Sequence, residues 1–141
     1  MILSLDHVAI AVPELDDAIR RFTEDLGLSL RGTEDVQSAR TTTAFLPVAG
    51  PTTIELVTPL EGTGPLVRHL ETRGPGLHHL CFRTDDLDGD AARLRAKGWR
   101  FTTDAPFAGA HGTRVMFVHP KSAGGVLIEL AEHPSDAGRH G

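Results

Sequence analysis

Apolar residues run through positions 5–12, Leu5-Asp6-His7-Val8-Ala9-Ile10-Ala11-Val12, and stop at Pro13, which lacks the amide that the next ladder bond would need. The run predicts a strand. Its side chains alternate, so Val8, Ile10 and Val12 share one face while His7, Ala9 and Ala11 share the other. The branched face is expected to enter the core, leaving His7 among small residues that make room for a ligand. From Glu14 the period lengthens: Leu15, Ala18, Ile19, Phe22 and Leu26 fall at helical spacing, with Asp16, Asp17, Arg20, Arg21 and Glu24 opposite them. Acidic residues crowd the first turn, where the helix dipole favours them, and Gly27 supplies the stop. Further strands are predicted over residues 29–32, 41–48 and 52–57, with Val48-Ala49-Gly50-Pro51 turning between the last two. In the last of them Glu55 shares a face with Thr53 and Val57, and Ile54 and Leu56 point to the core.

The pattern then restarts. Prolines and glycines around the short amphipathic segment Leu66-Val67-Arg68-His69-Leu70 mark a connector. Beyond it the spacing predicts a strand over 77–84, a helix over 87–97 using Leu87, Ala91, Leu94 and Ala92, a stop at Gly98, and strands over 99–102, 113–119 and 126–131. The two strand histidines, His7 and His79, lie 72 positions apart, and Ile54-Glu55-Leu56 returns 74 positions later as Ile128-Glu129-Leu130. Two copies imply paired modules and exclude a many-unit solenoid. The expected organisation is one domain over residues 1–132, with module one at 3–60, a connector at 61–75, module two at 76–132 and a flexible tail at 133–141. The fold class is α+β: two βαβββ modules, each with a helix on one sheet face, pairing into a curved mixed sheet around a cleft.

Composition narrows the function. A chain of 141 residues, 40% apolar and 23% charged, can bury a core and has no apolar run near the roughly 18 residues of a bilayer span. The start of the chain lacks the basic-then-apolar order of a secretory signal, and the single cysteine, Cys81, suits a reducing cytoplasm. A net charge of −5 argues against a nucleic-acid partner, which would want a basic stripe.

Alternation carries the chemistry. His7, Glu55, His79 and Glu129 all lie opposite the branched core residues of their strands, so all four are expected in the cleft as metal ligands. Two imidazoles and two carboxylates suit one divalent ion, and Co2+, Mn2+, Ni2+, Mg2+ and Zn2+ all accept such a mixed set. A six-coordinate ion would keep two positions open for substrate oxygens, which points to catalysis more than to a closed structural site. A glutamate inside an apolar strand needs such a reason, because burying an unpaired carboxylate costs several kcal/mol.

Other residues are weaker candidates. His78 lies on the core side by alternation, and His69, His133 and His140 are expected at the surface. His111, in Gly109-Ala110-His111-Gly112, sits in a loop that could reach the cleft. Arg83 shares a face with His79 and Cys81 and could meet a substrate carboxylate or a neighbouring acid. Lys121 and Ser122 belong to a Gly-rich turn able to hold phosphate, or to a plain solvated hairpin.

The repeat with these four positions resembles the vicinal oxygen chelate superfamily, which includes glyoxalase I, extradiol dioxygenases and antibiotic resistance proteins. Within it, the segments Asp6-His7-Val8-Ala9-Ile10-Ala11-Val12-Pro13, Gly76-Leu77-His78-His79-Leu80, Gly109-Ala110-His111-Gly112 and His119-Pro120-Lys121-Ser122, and then Gly124-Gly125 leading to Glu129, are similar to the methylmalonyl-CoA epimerase family. That resemblance implies the same four ligands and a CoA thioester as substrate, epimerised by removal and return of a proton through a metal-stabilised enolate. It also implies a homodimer. Glu129 is expected to serve as one acid/base group, with Glu55, or a water near Thr43 or His111, as the other. Where some family members carry a carboxylate base on the third strand of module one, this chain has Thr41-Thr42-Thr43. Arg68, Arg114 and Lys121 are the candidates for gripping the nucleotide. Two alternatives stay open: a glyoxalase I acting on a glutathione hemithioacetal, and a non-catalytic antibiotic-binding protein.

Overall fold

A computed structural model of the chain describes residues 1–137; His140 and the rest of the expected tail at 138–141 lie outside the described residues. The described residues form strands β1 (Ile2–Ala11), β2 (Gly32–Val36), β3 (Thr41–Pro47), β4 (Thr53–Pro59), β5 (Gly76–Thr84), β6 (Phe107–Ala108), β7 (Arg114–Val118) and β8 (Ile128–Glu132). Helices α1 (Leu15–Arg20), α2 (Pro65–Arg73) and α3 (Leu87–Ala96) accompany them. The predicted α+β class is therefore observed, with the order β-α-β-β-β in each repeat: β1-α1-β2-β3-β4 and β5-α3-β6-β7-β8. Pairing is mixed. β1 with β4 and β5 with β8 are parallel, while β2–β3, β3–β4, β6–β7 and β7–β8 are antiparallel. Two compact units divide the chain: His7–His78, and Met1–Asp6 together with the chain from His79 onward.

In the unit His7–His78 the strand order is β2-β3-β4-β1. Val12, Ala18, Ala44, Leu46 and Leu56 make its core, with Ile10, Leu15, Ile19 and Phe22 packed against them, so the branched face of β1 lies under α1 as its alternation predicts. The helix does not run regularly to Leu26. Its last turn widens over Arg21–Asp25, where the Leu26 amide bonds back five residues to the Arg21 carbonyl, and Gly27 at φ +94° ends it. Helix α2 occupies the predicted connector, and its Leu66 packs on Ala11 and Val57, so the small-residue face of β1 is covered there. The second strand departs from expectation: it spans Gly32–Val36, not 29–32, and pairs from Gly32↔Phe45 to Val36↔Thr41. Its polar Thr33-Glu34-Asp35 gives no apolar signal, and Thr42 Oγ1 donates to Asp35 Oδ1 at 2.8 Å.

The other unit orders its strands β1-β5-β8-β7-β6. Leu87, Ala91, Met116 and Leu130 form its core beneath α3. That helix is capped twice: Asp86 Oδ1 accepts from the Gly89 amide at 3.0 Å, and the buried Glu132 Oε2 accepts from the Leu87 amide at 3.0 Å. The strand expected over 99–102 shrinks to one bridge, Phe101↔Val118, because Phe101 turns into the core cluster with the Arg95 guanidinium 5.1 Å over its ring. Residues 133–137 are not a loose tail. Pro134–Asp136 winds a 3-10 turn, and Asp136, 1% exposed, accepts a hydrogen bond from Arg83 Nε at 2.5 Å. A buried carboxylate needs its counter-charge, and Arg83 supplies it. Among the described residues no helix is long and apolar enough to cross a membrane.

Candidate metal centre and substrate site

Strand register decides which side chains share a face. In the unit His7–His78, the parallel pairs His7↔Thr53, Ala9↔Glu55 and Ala11↔Val57 place those six side chains together. The antiparallel pairs Phe45↔Glu55 and Thr43↔Val57 add Phe45 and Thr43. His7 Nδ1 stands 3.0 Å from Glu55 Oε2, with only 9% and 13% of the two side chains exposed.

The other unit repeats the arrangement. Cys81↔Glu129 and Arg83↔Ala131 align β5 with β8, and Phe117↔Glu129 brings in β7. His79 Nε2 lies 3.2 Å from Glu129 Oε1, with 9% and 10% of the side chains exposed. Phe117 meets the His79 ring edge-on at 5.2 Å and stacks on Phe107 at 6.1 Å. Phe45 and Phe117 thus stand opposite the two glutamates, 72 positions apart like the histidines. Sequence reasoning passed over this pair, although the repeat spacing contains it.

Each unit by itself carries one His–Glu contact of the kind that can ligate a cation, His7 with Glu55 and His79 with Glu129. The donor chemistry fits a divalent ion, since neutral imidazole and carboxylate oxygen are the mixed set that such ions accept. The spacings fit as well. Metal–ligand bonds of about 2.1 Å meeting at a right angle set neighbouring donor atoms about 3 Å apart. The two His–Glu separations are 3.0 and 3.2 Å.

The remaining candidates are placed as follows. Thr43 is 2% exposed on the same strand face as Glu55. Arg83 is engaged with Asp136 and, through Nη2, with Ser135 Oγ at 3.3 Å, and hydrogen bonding to Asp136 holds its guanidinium above the ordinary arginine value. His111 is exposed in a 3-10 turn at φ +57°, a left-handed conformation uncommon outside glycine. Lys121 is exposed and its amide donates to His119 Nδ1 at 3.1 Å, while Ser122 Oγ accepts from the Arg100 amide at 3.0 Å. Arg114 is committed to Glu132 at 3.0 Å and Asp88 at 3.1 Å, contacts that raise its pKa, with the hydrogen bond to Asp88 as the largest cause. Arg68 is exposed on α2. His78 meets His69 edge-on at 4.7 Å, and His69 is held below the ordinary histidine value by burial and then by Arg73. His133, expected at the surface, is half-buried with Nε2 2.7 Å from Asp6 Oδ1.

A family model described as the Glyoxalase/Bleomycin resistance protein/Dioxygenase superfamily matches residues 6–117. The chain belongs to this superfamily. Within the superfamily it is similar to the ethylmalonyl-CoA/methylmalonyl-CoA epimerase of Cereibacter sphaeroides, at 37% identity covering 94% of this chain and 99% of that protein. Among solved structures it is similar to methylmalonyl-CoA epimerase from Mycobacterium tuberculosis, at 39% identity and a TM-score of 0.89 over 94% of this chain and 89% of that one. It is also similar to the Streptomyces coelicolor methylmalonyl-CoA epimerase solved in complex with 2-nitronate-propionyl-CoA, at 32% identity and a TM-score of 0.89 over 95% of this chain and 99% of that one. The βαβββ repeats are therefore those of the glyoxalase-like fold, as the sequence resemblance implies.

Proposed function

We propose that the chain interconverts (2R)- and (2S)-methylmalonyl-CoA by removing and returning the C2 proton through an enolate, with one divalent cation held by His7, Glu55, His79 and Glu129. The observation that carries this reading is the matched pair of buried contacts, His7–Glu55 and His79–Glu129, on corresponding strands of the two repeats. Relatives at 37% and 39% identity over nearly the whole chain, both named as epimerases of this class, support it. When bound, the cation supplies Lewis-acid stabilisation for the negative charge that develops on the thioester oxygen.

The chain's own residues move the proton. Glu129 takes it from one face of C2. Glu55 in its protonated form, or a water beside Thr43 or His111, delivers a different proton to the other face, because inversion needs exchange on both sides of a planar intermediate. Each positioned acid or base contributes about 10²- to 10⁴-fold. Burial of both glutamates in strands keeps bulk water from the reacting carbon and fixes the carboxylates more tightly than a loop would. Lys121 and Ser122, beside the Gly124-Gly125 turn, orient the anionic substrate. The same reading takes the working form as a cytoplasmic homodimer. Light scattering should return the mass of two chains, and a mass of one chain would count against it.

The deciding experiment follows C2 proton exchange of methylmalonyl-CoA in deuterated solvent. Glu129→Gln should abolish exchange while largely keeping its metal content. Full exchange by that variant removes Glu129 from the role. A parallel assay with methylglyoxal and glutathione should show no turnover; conversion there in place of epimerisation makes the chain a glyoxalase.

A further inference from the structure

Three residues near the end of the described chain touch the unit at places that matter to the ligand strands. His133 Nε2 lies 2.7 Å from Oδ1 of Asp6, the residue directly before His7 in β1. Asp136 accepts from Arg83 Nε at 2.5 Å, and Arg83 shares the face of β5 with His79 and Cys81. Pro134 Cγ would be 3.6 Å from a Cβ on Gly112, so the turn also backs onto the loop that carries His111. Asp6 adds its charge to the field that Asp136 sets on Arg83. The contacts therefore form an alternating series of charged and polar groups, His133, Asp6, Arg83 and Asp136, anchored on neighbouring strands β1 and β5.

A segment that only needed tethering could be held by apolar packing alone. Here a carboxylate is buried to 1% exposure to reach one arginine, an arrangement that costs desolvation and is retained only with its partner in place. We propose that residues 133–136 are a clamp in which His133 and Asp136 act as positioning residues, fixing β1 at Asp6 and β5 at Arg83 and thereby the aim of the His7 and His79 imidazoles. The clamp rests on the metal reading given above. Support of ligand orientation from outside the coordination sphere is worth about 10- to 100-fold in metal affinity or activity.

The test titrates the full metal-free chain with Co2+ and reads the visible absorption of the bound ion, beside kcat and KM for methylmalonyl-CoA and a thermal melt. His133→Ala and Asp136→Ala should each weaken Co2+ binding about tenfold or more and lower kcat with KM little changed. His133→Asn, which keeps a donor for Asp6, should recover most of the affinity. The double variant Asp136→Ala/Arg83→Ala should be no weaker than Asp136→Ala. A lowered melting temperature with wild-type Co2+ affinity and wild-type kcat would reduce the turn to a tether and overturn the clamp. Should Asp136→Ala fail to fold, the half-exposed His133 variants decide alone. A wild-type chain that binds no Co2+ sinks the metal reading and the clamp with it, whereas tight wild-type binding matched by every variant sinks the clamp only.

Discussion

Glu129 reaches His79 across two neighbouring parallel strands, its Oε1 3.2 Å from the ring Nε2 although its register partner on β5 is Cys81. Glu55 makes the same diagonal step to His7 from its register partner Ala9. In both repeats the glutamate pairs with the residue two beyond the histidine. Parallel register therefore builds the contact, and no loop has to place it.

Chelation tests the proposed metal-holding role of these contacts. A divalent ion bound by two carboxylates and two imidazoles would offset the formal charge of the carboxylates. Chelation should lower epimerase activity at least about 100-fold and lower the melting temperature, with Co2+ or Mn2+ restoring both. A ligand present at a hundred times its Kd stabilises the folded state by about 2.7 kcal/mol, enough to read in a melt. A melt unmoved by metal would leave the four residues as two His–Glu contacts with no ion between them.

Core packing gives a second prediction. Leu56 is 0% exposed, sits in register with Ile10 and Ala44, and belongs to the cluster under α1. Leu56→Ala should cost about 2–5 kcal/mol in denaturant unfolding. Leu77→Ala, at a side chain 73% exposed, should stay within about 0.5 kcal/mol of the parent. Equal losses at the two positions would mean that the β4 face is not the core.

How much of this was legible follows from where the signals lie. The strands that carry the four candidate ligands were readable because each is apolar on one face and bounded by proline or glycine, so alternation set His7, Glu55, His79 and Glu129 on the face opposite the branched residues. Where that signal is missing, prediction slipped. β2 is a polar edge strand whose position is set by pairing with β3, and the two-residue β6 is too short to show a period. Phe101 falls within the strand expected over 99–102, but the core claims its side chain. Contacts between distant residues leave no local trace at all: His133 with Asp6, Glu132 on the α3 amide, and the salt bridges that occupy Arg83 and Arg114. An arginine in a sequence looks available for substrate until the fold shows which acid already holds it.

Gly109 gives a steric prediction beside the His111 loop. A Cβ there would fall 2.6 Å from Thr113 Oγ1 and 2.9 Å from Val115 Cγ1, closer than real side chains come. The backbone at φ −106° is open to any residue, so the conflict is one of space alone. Gly109→Ala should cost about 1–3 kcal/mol by thermal melt, as overpacking does. Pairing it with Val115→Ala should recover part of the loss, and no recovery would place the strain elsewhere.

Asp90 supplies the pH dependence. Its carboxylate is 4% exposed on α3; burial pushes the pKa up, but the Thr84 hydroxyl, the Arg93 guanidinium at 3.1 Å and the Met1 ammonium at 3.5 Å together carry it below the ordinary carboxylate value. A folded pKa below the unfolded one means that the unfolded chain binds the proton more readily. The stabilisation is then whole above the unfolded carboxyl value of about 3.9 and is lost as pH falls through the lower folded value. Asp90→Asn removes the charge and keeps the shape. Its unfolding free energy should fall furthest short of the parent's at neutral pH, and the gap should close as the solution is acidified below about pH 4. Denaturant melts of the two proteins from neutral pH to the acid limit read this directly, and a gap of constant size would show that the charge on Asp90 contributes nothing to holding α3 in place.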